Sequence, residues 1–253
     1  MNKKIKISVV KYTNTLPFRF GLTNSQENDR LWSLQFDTPA DCASQLLNDS
    51  VDIGLVPVAI LPLVKEPQII SNYCLACNGK VDTVKLYSRV PLDKITTVLL
   101  DYQSRTSVNL VQILAKFYWK INPEFKNATE GFEDNIQCQT AALIIGDRCF
   151  SHNGNYQYEF DLGEQWLQFT GLPFVFALWV ANKKIQEPIL VAFENALSYG
   201  LRQLPLAISQ QIQEDMRDKI TSYLTRNIVF QYDRKMEQSF RHFLDLLKKL
   251  NHA

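Results

Sequence analysis

Thr97-Val-Leu-Leu-Asp-Tyr-Gln-Ser-Arg-Thr-Ser-Val108 is the stretch whose reading decides the fold. A β-branched apolar run stops at Asp101, and a hydroxyl-rich turn then opens an amphipathic helix with Val108, Val111, Leu114 and Tyr118 on one face. With the strand Ala141 to Ile145 that follows, closed by Gly146-Asp147, it makes an α/β unit. The start of a helix leaves backbone N–H groups unpaired and carries the positive end of the dipole. Ser104, Arg105, Thr106 and Ser107 are therefore candidates to hold a carboxylate or phosphate. Ser and Thr also cap helices with no ligand involved, and on this segment alone capping is the stronger reading.

Working outward, Lys4 to Val10 reads as a strand followed by the loop Lys11 to Phe18. Trp32 to Phe36 is a second strand. Thr38-Pro39 then starts a helix through Leu47, with Thr at the N-cap, Pro at the first helical position, and Cys42, Ala43, Leu46 and Leu47 on one face. Val51 to Val56 is a third strand ending at Pro57, which completes the strand–helix–strand unit of a parallel sheet. Strands Ile69 to Ala76 and Asp82 to Ser88 flank the turn Asn78-Gly79 as a hairpin or a crossing pair. The helix after Asp101 runs from Ser107 to Lys120. A short helix, Asp161 to Phe169, breaks at Thr170-Gly171-Leu-Pro173 before the strand Phe174 to Val180. From Glu187 the pattern is helical almost to the end, with helices at about Ser209 to Thr225 and Asp233 to Leu250. This order predicts a first lobe of residues 1–89 plus 175–253 and an inserted lobe of residues 90–174. The crossovers fall near Ser88 to Pro91 and Gly171 to Val175, an arrangement suited to hinge closure around a ligand.

At 253 residues, with 46% hydrophobic and 21% charged content, the composition is that of a globular protein. The balance of 27 basic against 26 acidic residues implies neither a nucleic-acid nor a bilayer partner. The N-terminal stretch Met1 to Val10 has no cleavage site of the secretory kind, and the longest apolar run, around Leu172 to Ala181, is too short to span a membrane. A cytoplasmic protein without membrane insertion is expected. Five cysteines (Cys42, Cys74, Cys77, Cys138, Cys149) are an odd number for a disulfide framework. Cys74-Leu-Ala-Cys77 has metal-like spacing, but no second pair completes a tetrahedral set and the segment reads as a strand, so both are packing residues. Gly79 marks a turn where a thioredoxin-like motif needs a helix start. No metal and no cofactor are called for.

Five loops follow strands or precede helices: Asn14 to Phe18, Leu55 to Val58, Ser104 to Ser107, Gly146-Asp147, and Thr170 to Phe174 at the return crossover. In open α/β sheets ligands bind outside the carboxyl ends of the strands, so topology makes these loops converge. Tyr12-Thr-Asn-Thr-Leu-Pro-Phe18, Val51-Asp-Ile-Gly-Leu-Val-Pro-Val-Ala59, Leu100-Asp-Tyr-Gln-Ser-Arg-Thr-Ser-Val108, Leu143-Ile-Ile-Gly-Asp147, and Asp161-Leu-Gly-Glu-Gln-Trp166 with Thr170-Gly-Leu-Pro-Phe-Val-Phe-Ala177 run in one order across most of the chain. In that order the chain resembles the chorismate dehydratases of the futalosine route to menaquinone. The resemblance implies a two-lobed α/β fold of the type II periplasmic-binding-protein kind, with a ligand cleft between lobes and C-terminal helices. Two departures stand out. Lys11 and Thr13 flank Tyr12 where the family looks like Ser-Tyr-Leu, and Thr83 stands in Val81-Asp-Thr-Val84 where the family usually shows Ser.

The activity so implied is loss of water from chorismate to give 3-[(1-carboxyvinyl)oxy]benzoate, driven by aromatisation. A catalyst must hold a small dicarboxylate, remove the proton at the ether-bearing ring carbon and assist the departing hydroxyl. The helix start at Ser104, Arg105, Thr106 and Ser107 is the first candidate carboxylate site, with Arg105 of second rank. The loop of Asn14 and Thr15 with Thr83 is the second. Pro57, Gly146, Asp147, Thr170 and Gly171 are further candidate substrate contacts, and Asn14 and Thr83 are the candidate catalytic residues. No protein base stands out. His152, His242 and His252 suit solvated or structural roles, and Asp101 and Asp147 end strands and orient turns. The substrate's own enolpyruvyl carboxylate is then the expected proton acceptor. Two other readings stay open: a non-catalytic small-anion binding protein of the same fold, and the related pathway enzyme acting on a cyclised nucleoside intermediate. A transcriptional effector-binding domain is disfavoured because no helix-turn-helix segment precedes Lys4. The oligomeric state is left open.

Overall fold

The computed structural model describes residues 4–28 and 30–251. His252 lies outside them, as do residues 1–3 of the N-terminal stretch. In chain order the elements are β1 (Ile5–Val10), α1 (Leu16–Thr23), β2 (Trp32–Asp37), α2 (Pro39–Leu47), β3 (Ile53–Pro57), β4 (Gln68–Cys77), β5 (Val84–Ser88), β6 (Thr97–Leu100), α3 (Thr106–Ile113), β7 (Glu124–Asn127) and β8 (Thr140–Ile145). They continue with α4 (Cys149–His152), β9 (Tyr158–Asp161), α5 (Leu162–Thr170), β10 (Phe174–Ala181), α6 (Glu187–Arg202), α7 (Leu204–Gln211), α8 (Arg217–Ser222), β11 (Val229–Gln231) and α9 (Arg234–Asn251). The chain divides into two compact units: residues 4–75 with Phe176–Asp233, and Ala76–Val175 with residues 234–251.

The first unit is built on a sheet of order β11-β4-β10-β3-β1-β2. β1 runs parallel to β2 and β3, and β10 runs antiparallel to β3 with Ala177 opposite Pro57. Thr38 caps α2 by accepting a hydrogen bond from Asp41 N at 3.2 Å, with Pro39 in the first turn. α1 and α6 meet backbone to backbone at two glycines. A methyl at Gly21 would lie 2.0 Å from the Ala196 carbonyl oxygen, and one at Gly200 would lie 1.8 Å from that of Pro17. Phe18 packs edge-on to Trp179 at 5.7 Å, and Trp179 to Phe193 at 5.0 Å, tying α1, β10 and α6 into one core.

The second unit has a sheet of order β7-β6-β8-β5-β9. β6 is parallel to β7 and β8, while β5 is antiparallel to β8 and β9. β1 thus lies between β2 and β3, and β6 between β7 and β8, with an antiparallel strand beyond β3 and beyond β8. α5 and α9 share a core in which Trp166 stacks edge-on to Phe174 at 5.2 Å and donates from Nε1 to Ser239 Oγ at 3.0 Å, while Ser239 Oγ donates to the Pro173 carbonyl.

The division falls elsewhere than the sequence pattern predicts. β4 and β5 belong to different sheets, so no hairpin forms at Asn78-Gly79. The first passage lies at Leu75–Ala76, because Val84–Ser88 pairs with β8 and β9. A third passage at Asp233–Arg234 brings α9 to the second unit, where its apolar face (Met236, Phe240, Phe243, Leu246, Leu247) is buried. Five elements were not anticipated: α1, whose Pro17 and Gly21 read as loop, the single-turn helix α4, and the short strands β7, β9 and β11 at sheet edges. Cys74 and Cys77 are buried in β4 as packing residues, their thiols pushed up by burial. No helix among the described residues is long and apolar enough to cross a membrane.

Candidate functional site

In the first unit the carboxyl ends of β1, β2 and β3 are Val10, Asp37 and Pro57, and reversed β10 enters from the same end. The chain leaves β1 through a single 3-10 turn, Thr13–Thr15, directly into α1. Thr15, nominated as a substrate contact, is fully buried, and its hydroxyl is shared between the carbonyls of Val10 and, at 2.8 Å, Tyr12. It locks the loop, and its proton is already committed. Asn14 next to it is different: its side-chain oxygen is buried with no hydrogen-bond partner among the described residues. A buried carbonyl oxygen without a donor costs about 1–3 kcal/mol, a cost that a donating ligand would relieve. Pro57 is buried at the end of β3. Asp52 sits at the opposite end of that strand, accepting from Lys6 N at 2.9 Å and paired with Lys183, which removes it from the loop end.

In the second unit Asp101, Ile145, Val84 and Asp161 mark one end of the sheet, since β5 runs against β8 and β9. At the head of α3 the Ser104 hydroxyl accepts from Ser107 N at 3.0 Å, so Ser104 does cap the helix. Ser104, Thr106 and Ser107 are all buried, and Arg105 is exposed. Ser107, only 4% exposed, and the exposed Arg105 stand side by side there. These are the groups an anion at the head of α3 would engage. A cavity of about 280 Å³ opens beside them, lined by Asp101, Tyr102, Ser104, Arg105, Asn109 and Asn127 among others.

Asp101 is consumed by its neighbours. Its carboxylate accepts from Gln103 N and Ile145 N, each at 2.9 Å, and pairs with Arg148, whose other nitrogen donates to Glu133 at 2.6 Å. Burial pushes the Asp101 carboxyl above the ordinary aspartate range, and Arg148 with the two amides pulls it only part of the way back. Thr83 is 1% exposed, and its carbonyl accepts from Gly146 N at 2.8 Å, joining the turn before β5 to the loop after β8. Gly146 takes φ +70°, a conformation glycine adopts at no steric cost. Asp147 beside it is exposed.

Thr170 and Gly171 terminate α5. The Thr170 hydroxyl donates to the Trp166 carbonyl at 2.9 Å and accepts from Leu172 N at 3.1 Å, and Gly171 closes the helix at φ +72°. Of the histidines, His152 packs 6.1 Å from the Tyr87 ring and His242 5.7 Å from Trp166, both in structural positions. Sequence reasoning passed over Asp161 and Arg148. The first had a usable signal, an Asp opening a helix with Glu at its third position. The second had none.

Residues 5–249 match the model of a family described as menaquinone biosynthesis. The chain belongs to this family. A chorismate dehydratase of Thermus thermophilus is 27% identical over 186 residues, 66% of this chain and 68% of its own length. A structural-genomics protein of Archaeoglobus fulgidus superposes with a TM-score of 0.79 at 9% identity, covering 99% of this chain and 98% of its own. A Candida albicans protein described as having the generic periplasmic binding protein fold gives 0.62 at 12% identity, with 99% and 95% covered. The periplasmic aliphatic sulphonate binding protein of Escherichia coli gives 0.60 at 15% identity, with 100% and 89% covered. The family member described here therefore has the periplasmic-binding-protein fold.

Proposed function

We propose that this chain is a chorismate dehydratase, a hydro-lyase of menaquinone biosynthesis that converts chorismate to 3-[(1-carboxyvinyl)oxy]benzoate and water. The observation that carries the reading is the head of α3, where buried Ser104, Thr106 and Ser107 gather their hydroxyls beside the exposed Arg105 at the positive end of the helix dipole. Family membership and the Thermus relative supply the chemical class of the anion, a dicarboxylate.

In this reading Ser104–Ser107 hold one substrate carboxylate, with Arg105 adding charge from its exposed position. Asn14, whose side-chain oxygen needs a donor, takes the ring hydroxyl, and Thr83 orients the reacting carbons. The C–H bond at the ether-bearing ring carbon breaks, its electron pair forms the new ring double bond, and hydroxide leaves from the adjacent carbon. The proton is taken by the substrate's enolpyruvyl carboxylate and leaves with the hydroxide as water. The aspartates of the motifs support this assignment. Asp101 and Asp161 are engaged by backbone amides, and Asp52 stands at the far end of its strand.

Incubation of the purified protein with chorismate, followed by absorbance and identification of the product, tests the reading. Release of the aromatic ether is expected. Binding of chorismate without turnover would establish a small-anion binding protein instead.

A further inference from the structure

Asp161 ends β9 at 3% exposure, and its carboxylate accepts hydrogen bonds from four backbone N–H groups. Two come from its own helix, Gly163 at 3.0 Å and Glu164 at 3.2 Å, both onto Oδ1 in the pattern of an N-cap. The others come from a distant turn: Val81 N at 3.1 Å to each oxygen, and Asp82 N at 2.7 Å to Oδ2. That turn carries a non-glycine residue in the left-handed region, Asp82 at φ +63°. Such a conformation costs about 1–2 kcal/mol and persists only where the surroundings hold it.

The seat of the turn is tight as well. A methyl at Gly163 would meet Cys77 Sγ at 2.4 Å and the Gly79 carbonyl oxygen at 2.6 Å, so the first turn of α5 abuts the segment leading into Val81. Immediately after the turn comes Thr83, whose carbonyl is in turn held by Gly146 N.

We infer that Asp161 is a positioning residue for Thr83, one carboxylate that caps α5 and clamps the Val81–Asp82 turn in the conformation that presents the Thr83 side chain. The inference rests on the role proposed above for Thr83. Asp161→Asn separates the two tasks of the carboxylate. Asn caps helices as well as Asp does, and its carboxamide oxygen keeps the Gly163 and Glu164 bonds. Its NH₂ then replaces Oδ2, facing the Asp82 N–H and weakening the shared Val81 contact, donor against donor.

The expected result is a fall in kcat of about 100-fold, as for a misplaced reacting group, with the KM for chorismate within about threefold of wild type. In a Thr83→Ala background the same substitution adds no further loss. Hydrogen exchange at the Val81 and Asp82 amides rises in D161N while the amides of α5 stay protected. Wild-type kcat in D161N, additive losses in the double variant, or unchanged exchange at Val81 and Asp82 overturns the inference. If the wild-type protein does not turn over chorismate, the functional reading fails and the exchange measurement alone decides. If D161N does not fold, Asp161→Ser replaces it, since Ser also caps a helix but is too short to reach the turn.

Discussion

Asp101 and Arg148 form an ion pair at the end of β6, with the Asp101 side chain fully buried and that of Arg148 27% exposed. The aspartate also takes the Ile145 amide, so a single carboxylate joins the end of β6, the end of β8 and the turn that enters α3. Asp101→Asn keeps the shape and removes the charge. It should cost about 3 kcal/mol in urea unfolding at neutral pH, as for a buried charged hydrogen-bond network. The pH dependence has a definite sign. The folded-state pKa lies above the unfolded one, so this group's stability is fully present below the unfolded value and is lost as pH rises through the folded one. The advantage of wild type over D101N should thus be larger at about pH 4 than at about pH 7. The opposite trend would mean that Arg148 outweighs burial.

Gly200→Ala places a methyl against the Pro17 carbonyl at the head of α1. Overpacking of this kind costs about 1–3 kcal/mol, and a fall in Tm of about 5 °C is expected for a chain of this size. An unchanged Tm would show that α1 and α6 can separate freely.

Cys138 is the exposed thiol; Cys42, Cys74, Cys77 and Cys149 are buried. Burial pushes the Cys42 and Cys149 thiols up to about 12. A disulfide reagent at mildly alkaline pH should therefore modify one thiol per folded chain rapidly and all five after denaturation. Cys138→Ser should abolish the fast phase, and a fast phase surviving in that variant would contradict the burial of the other four.

If the substrate supplies its own base, Asp52→Asn and Asp147→Asn should keep kcat within about tenfold of wild type. Asn14→Ala and Thr83→Ala should lose about 100-fold or more, and Thr83→Ser should retain most activity by keeping the hydroxyl. Collapse of the chemical step in either aspartate variant, with chorismate binding intact, would identify a protein base.

Arg105→Ala removes the exposed guanidinium at the head of α3 while leaving the helix amides and the Ser104 cap in place. An increase in KM of about tenfold with little change in kcat is expected, the signature of lost uniform binding. A loss confined to kcat would place the guanidinium at the reacting centre instead.

The βαβ cores of both units were legible because buried strands and amphipathic helices write periodic patterns: Ile53–Pro57 and Thr97–Leu100 matched their apolar runs, and Thr38-Pro39 announced α2. What was not legible is explained by tertiary context. Edge strands β7, β9 and β11 are three or four residues long and partly exposed, so no alternation marks them. Helix α1 carries Pro17 and Gly21, poor helix formers whose value lies in the approach of α6, which only the folded chain reveals. Among the site residues, the hydroxyls at the head of α3 stood out by their pattern. That Thr15 and Thr170 spend their hydroxyls on their own backbone depends on local geometry.

The backbone clamps at Asp101 and Asp161 have an electrostatic consequence. Asp101 turns its carboxylate inward against amides and a guanidinium, and Asp161 against amides alone, at the sheet end where the helix head of α3 opens. A dianion nearing the ends of β6 and β9 meets peptide dipoles and hydroxyls there, because those two aspartates are spent in shaping the loops.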